Sequence, residues 1–136
     1  MALKEQKVEL LRKVDLFSQL REYELDIIAN YSEFIRFEKG QAIFSQGSAA
    51  NELYVVDSGR VGIISLEKDD ARIAQIAVNE SFGEFDFLER VERSAAAFAE
   101  EDSLLLKFPD IKYTPDELFL EHPVIFARLL YRLIGV

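Results

Sequence analysis

The segment EFIRFEKGQAIFSQG, Glu33 to Gly47, decides the fold. Upstream of it the apolar residues recur at helical spacing. From Glu33 they alternate: Phe34, Arg36 and Glu38 fall on one side, and Glu33, Ile35 and Phe37 on the other. A period of two belongs to a β-strand. Gly40 stops the first run and Gly47 the second. ELYVVDSG follows as a strand closed by an Asp-Ser-Gly turn. RVGIISLEKDD reads as a strand ending in a charged turn, and ARIAQIAVNE as another that closes at Asn79-Glu80. SAAAFA and SLLLKF supply two more. About seven or eight short strands with turns every ~8–12 residues point to a sandwich, a jelly roll or a small barrel.

The flanks are helical. In LKEQKVELLRKV, Leu3, Leu10, Leu11 and Val14 lie near helical spacing. In the stretch after it, Leu16, Phe17, Leu20, Leu25 and Ile28 predict a second helix behind a short apolar turn. Beyond the strands the chain is broken by Pro109, Pro115 and Pro123. The tail VIFARLLYRLIGV then places Ile125, Phe126, Leu129, Leu130 and Leu133 on one helical face. The expected architecture is α+β. A jelly-roll-like antiparallel β-barrel or sandwich (a double-stranded β-helix) carries N-terminal helices and a C-terminal helix. One domain is expected over 1–136, helical at 3–31, a β-roll at 33–108 and helical again at 115–136.

Composition narrows the chemistry. The chain has 136 residues, no cysteine, one histidine and a formal net charge of −9. Without cysteine there are no disulfides, thiolate metal sites or cysteine nucleophiles. His122 precedes Pro123 and reads as a helix-start or surface residue. No metal or cofactor is expected. Nucleic-acid binding draws most of its affinity from Lys and Arg on phosphates, so the acidic balance argues against it. No apolar run approaches the ~18–20 residues of a membrane span. The start MALKEQKVELLRKVD has charges where a signal peptide is apolar, so a cytoplasmic location is expected.

One stretch, SFGEFDFLERVERSAAAFAEED (Ser81 to Asp102), has a composition of its own. It opens on Gly83-Glu84, crowds Glu84, Asp86, Glu89 and Glu92 together, and then sets Arg93 before the small run Ser94, Ala95, Ala96, Ala97.

With the strand motifs, this stretch resembles the cyclic nucleotide-binding domain family. FEKGQAIFSQG matches the family's Phe-x-x-Gly-x-x-Ile-Phe-x-x-Gly strand pair. ELYVVDSGRVGI matches its Leu-Tyr-x-Val-x-x-Gly-x-Val strand and turn. FGEFDFL followed by RSAAAFA resembles its phosphate-binding cassette, with Arg93 nine residues after Glu84 as the family has it. The resemblance covers roughly Leu16 to Leu133. It implies that Arg93 pairs with the cyclic phosphate and that Glu84 takes the ribose 2′-hydroxyl. The backbone at Gly83, Phe85, Asp86, Ser94 and Ala95 would complete the cradle. The chemistry agrees: glycine lets backbone approach a ligand, arginine offers a planar fork to phosphate oxygens, and an ionised carboxylate accepts from a hydroxyl. Cyclic AMP and cyclic GMP both remain open, because a hydroxyl at Ser94 can serve guanine as well as phosphate.

Asp86 departs from the small neutral residue usual in the family. At about 5–6 Å from a bound phosphate, with an effective dielectric of ~20, its carboxylate costs roughly 3 kcal/mol, or ~100-fold in affinity. If it points to solvent, the cost mostly vanishes. Asn79 replaces a glycine and tolerates a left-handed backbone. Phe85 and Phe87 are bulkier than the usual aliphatic residues and could fill either pocket or core.

No Gly-x-Ser-x-Gly, His-Glu-x-x-His or P-loop pattern occurs, and no enzyme is expected. Two functions follow. The first is a sensor that binds cyclic AMP or cyclic GMP and signals to a protein partner. The alternative is a cyclic nucleotide-binding-like scaffold, its Glu84 and Arg93 paired with each other, that serves dimerisation or docking. In either case the C-terminal helix offers a homodimer seam.

Overall fold

A computed structural model describes residues 2–65, 71–110 and 112–135, with the side chains of 71 and 72 left aside. The predicted charged turn at 67–70 lies outside the described residues. Helices α1 (Leu3–Arg12) and α2 (Glu22–Asn30) come first, joined through a 3-10 turn at Asp15–Phe17. Strands β1 (Glu33–Phe37), β2 (Ala42–Phe44), β3 (Leu53–Ser58), β4 (Val61–Ser65), β5 (Ala71–Ile76) and β6 (Ser81–Phe82) follow. Helix α3 (Glu84–Glu89) interrupts the strands before β7 (Ala96–Ala99) and β8 (Ser103–Phe108). Helices α4 (Pro115–Glu121) and α5 (Pro123–Ile134) close the chain.

The strands form two antiparallel four-stranded sheets, ordered β1-β8-β3-β6 and β2-β7-β4-β5. Each sheet mixes early and late strands, as in a jelly roll. β1 pairs with β8 in the register Glu33↔Lys107 to Phe37↔Ser103, so the alternation that opens the roll is anchored by its last strand. β4 runs between β5 and β7, with Gly62 opposite both Gln75 and Phe98. A Cβ at Gly62 would lie 2.7 Å from the Phe98 ring, so the strand needs glycine there for that ring to lie flat.

Two apolar clusters result. One lies between the helices and the first sheet and includes Leu11, Phe17, Ile28, Leu53, Leu106, Leu118 and Leu129. The other fills the roll with Phe37, Tyr54, Val56, Val61, Phe82 and Leu105. Ile125, Phe126 and Leu129 of α5 are buried in the first cluster, as their helical spacing predicts.

The structure corrects the sequence reading in four details. Leu3 is 58% exposed rather than part of the apolar face of α1. β6, a two-residue strand, was not expected; Phe82 pairs with Tyr54 there. β7 begins at Ala96 rather than Ser94. The C-terminal part is two helices, because Thr114 caps α4, Pro115 begins it, and Pro123 restarts the chain as α5. His122 is the junction, its ring edge-on to Tyr31 at 5.7 Å.

Candidate functional site

Between β6 and β7, the stretch singled out by its composition forms a turn built around helix α3. Gly83 has φ +78 and caps α3 in a left-handed conformation. A side chain there would be strained, and its Cβ would lie 2.8 Å from Nη1 of Arg93. Arg90 ends the helix, also left-handed at φ 63. The chain then runs back beside the loop after β2. The Arg93 N–H donates to the Ser48 carbonyl at 2.8 Å, and the Gly47 N–H donates to the Arg93 carbonyl at 2.8 Å. Two main-chain bonds therefore fix the backbone of Arg93.

The Arg93 side chain is wholly buried. Its Nη1 donates to the Gly83 carbonyl at 2.7 Å. Its Nη2 donates to the Glu52 carbonyl and faces the Glu52 carboxylate at 3.4 Å. Its flat face lies over the Phe44 ring, 4.0 Å from the centroid. Among the described residues, buried Nε has no hydrogen-bond partner. A buried orphan donor on a cation is costly. Glu52 also accepts from the Tyr54 hydroxyl at 3.2 Å. Burial, then the neighbouring Glu52 charge and its hydrogen bond, push the Tyr54 phenol well above its ordinary value. Phe44, Tyr54 and Phe82 form an aromatic wall, with Tyr54 and Phe82 stacked at 5.3 Å.

The remaining predicted residues divide. Glu84 is half-buried and accepts from the Ser81 hydroxyl at 3.0 Å. The carboxylate beside Arg93 belongs to Glu52 and not to Glu84, so the Glu84–Arg93 pair of the alternative, scaffold reading is replaced by a different pair. Asp86 is half-buried and turns back onto Ser94 rather than standing free in solvent. Its Oδ2 accepts from the Ser94 N–H at 3.2 Å and from the Ser94 hydroxyl at 3.1 Å. Phe85 faces outward at 54% exposure, whereas Phe87 is in the core and Ala95 is buried. Asn79 is left-handed at φ 69, as expected.

Glu52 and Ser81 were missed by the sequence reading. Nothing local marks Glu52: an acidic residue just before a strand is ordinarily a solvated end. Phe44 was visible as part of a strand motif but not as the plate beneath a guanidinium.

The turn is tied to the C-terminal helices. Phe87 packs against Phe119 at 5.9 Å and Phe126 at 6.2 Å. Arg90 pairs with Asp116 at 2.6 Å and lies 5.3 Å over the Phe119 ring. Among the described residues no group of acidic or histidine side chains is arranged to hold a metal ion, and no helix is long and apolar enough to cross a membrane.

Residues 34–112, spanning β1 to the segment beyond β8 and so the whole turn, match the family described as the cyclic nucleotide-binding domain. The chain belongs to that family. It is similar to the cyclic AMP receptor protein of Thermus thermophilus, 37% identical over 93 residues, covering 67% of this chain and 43% of that protein. It is also similar to the cAMP-dependent protein kinase type II regulatory subunit of Drosophila melanogaster, 30% identical, covering 76% of this chain and 28% of that protein. The chain thus spans less than half the length of these curated relatives. Among solved structures, a putative cyclic nucleotide binding protein from Ruegeria pomeroyi superposes with a TM-score of 0.80, covering 99% of this chain and 59% of that one at 22% identity. The regulatory subunit of a cAMP-independent protein kinase A from Trypanosoma brucei gives 0.82, covering 98% of this chain and 45% of that one at 18% identity. At such identities these two show the shared fold. The turn from Gly83 to Ala95 lies within the matched residues.

Proposed function

We propose that the chain is a regulatory domain, without catalytic activity of its own, that binds cyclic AMP or cyclic GMP at the turn between β6 and β7. The observation that carries this reading is Arg93. It is a fully buried cation fixed at the Gly83 turn, and one N–H of its guanidinium finds no acceptor among the described residues. A phosphate oxygen would satisfy that group and exchange with the Glu52 carboxylate. Glu84 would release the Ser81 hydroxyl to take the ribose 2′-hydroxyl. The backbone of Gly83, Phe85, Asp86, Ser94 and Ala95 would line the phosphate. Membership of the family and similarity to a cyclic AMP receptor protein support the ligand class.

The signal would leave through Phe87. A ligand that re-seats α3 shifts the rings of Phe119 and Phe126, and with them α4 and α5, as a change of population between two helix positions. The output would be a protein contact in the cytoplasm. Leu120, Val124, Tyr131 and Ile134 are exposed on α4 and α5, and they suit a homodimer seam or a partner protein. The acidic balance supports neither nucleic acid nor an anionic membrane as partner.

A second reading has an observation of its own. Glu52 holds Arg93 and Asp86 holds Ser94, so most donors of the seat are already satisfied. A scaffold that no longer takes nucleotide would look the same. Calorimetric titration with cyclic AMP and cyclic GMP, with Arg93→Ala as control, separates the two. Micromolar binding lost in Arg93→Ala establishes the sensor. No heat and no thermal shift at millimolar nucleotide establishes the scaffold.

A further inference from the structure

The geometry points to Asp86 as a built-in occupant of the phosphate seat. Its carboxylate sets the domain's discrimination between nucleosides that carry a phosphate and those that do not. The inference rests on the reading of this turn as a nucleotide site.

Ser94 presents a main-chain N–H and a hydroxyl to a single oxygen, Oδ2 of Asp86, at 3.2 and 3.1 Å. Two convergent donors on one anionic oxygen, next in sequence to a buried arginine, are what an oxygen of a phosphodiester needs. Here an internal carboxylate already has them. Ser94 is exposed, so the donors open toward solvent and a ligand can compete for them. The second half of the seat is neutralised as well, since Glu52 faces Arg93 at 3.4 Å. Arg93 (+1), Glu52 (−1), Asp86 (−1) and Glu84 (−1) sum to −2, and a bound phosphodiester would take the sum to −3. Like charges gathered in one site oppose binding even after screening.

The penalty falls on only one part of a ligand. A cyclic nucleotide must displace Asp86 from Ser94 and then remain beside it. A nucleoside without phosphate leaves the Asp86–Ser94 contact intact and can still reach Glu84 by displacing the Ser81 hydroxyl. The carboxylate therefore erases the advantage that a phosphate would otherwise confer.

The test is calorimetric titration of the chain with cyclic AMP and, separately, with adenosine. Four proteins are compared: wild type, Asp86→Ala, Asp86→Asn and Glu89→Gln. Glu89 is exposed on the same helix, so Glu89→Gln removes one negative charge without touching Ser94. Wild type is expected to bind cyclic AMP within about threefold of adenosine. Asp86→Ala is expected to bind cyclic AMP at least ~10-fold tighter than wild type while adenosine is unchanged. Asp86→Asn, which keeps the size and loses the charge, is expected to gain in the same direction and covers the case in which Asp86→Ala does not fold. Glu89→Gln is expected to change neither ligand. Unaltered cyclic AMP affinity in both Asp86 variants, or an equal gain for adenosine, overturns the proposal while leaving the sensor intact. If neither ligand binds any of the four proteins, the nucleotide reading itself falls, and the proposal with it.

Discussion

The guanidinium carbon of Arg93 sits 4.0 Å from the centre of the Phe44 ring, and the edge of the same group bridges the carbonyls of Gly83 and Glu52. One side chain thus holds the cassette turn, the start of β3 and the end of β2. Arg93→Ala leaves two carbonyls without their donor and opens a cavity beside an aromatic plate. A loss of roughly 2–4 kcal/mol is expected in urea denaturation. Arg93→Lys keeps the charge but cannot reach both carbonyls with one planar group, and about half that loss is expected. A stability within ~0.5 kcal/mol of wild type for Arg93→Ala would refute the bridging role.

Gly83→Ala tests the same contact from the other side. The position has φ +78, and the new Cβ would meet Nη1 of Arg93 at 2.8 Å. Backbone strain and displacement of the arginine are expected to cost roughly 1–3 kcal/mol. Any nucleotide affinity should fall with it. A melting temperature equal to wild type would show that the left-handed turn is not required.

Tyr54 predicts an alkaline signature. Its phenol is raised in the folded state, first by burial and then by Glu52. A group whose folded value lies above its unfolded value, about 10 for tyrosine, contributes fully below the unfolded value. That contribution is lost as pH rises beyond it, because only the unfolded chain then ionises freely. Melting temperature is therefore expected to drop above pH ~10 more steeply in wild type than in Tyr54→Phe. Parallel slopes would remove Tyr54 from the explanation.

Phe87 is fully buried and meets rings from β8, α4 and α5. Phe87→Ala is expected to cost ~3–5 kcal/mol. Amide exchange should accelerate more in α5 than in β3 or β4 if this residue is the link between cassette and tail. Uniform acceleration would make it an ordinary core residue.

The strands and helices were legible because their signals are local. Alternation at Phe34 to Phe37, glycines at 40 and 47, and the helical face from Ile125 to Leu133 each declare themselves within a few residues. The residues of the proposed cassette were legible only as a set of types. Their wiring was not. Glu52 reaches Arg93 across 41 positions, and two of the three acceptors around that guanidinium are main-chain oxygens, which every residue carries. The orientation of Asp86 was equally hidden. A carboxylate near a helix start may face water or turn inward, and only the return of the chain past Ser94 decides between them. β6 escaped notice because two residues are too few to show a period; its pairing with Tyr54 makes it a strand.

Phe85 stands exposed on the segment that the proposed ligand would re-seat, while its neighbours on either side are held by hydrogen bonds. The chain contains no tryptophan. A single Phe85→Trp substitution would therefore give this domain one tryptophan, selectively excitable apart from its five tyrosines, beside the proposed site. The same outward ring makes the domain a ready starting point for a fluorescent indicator.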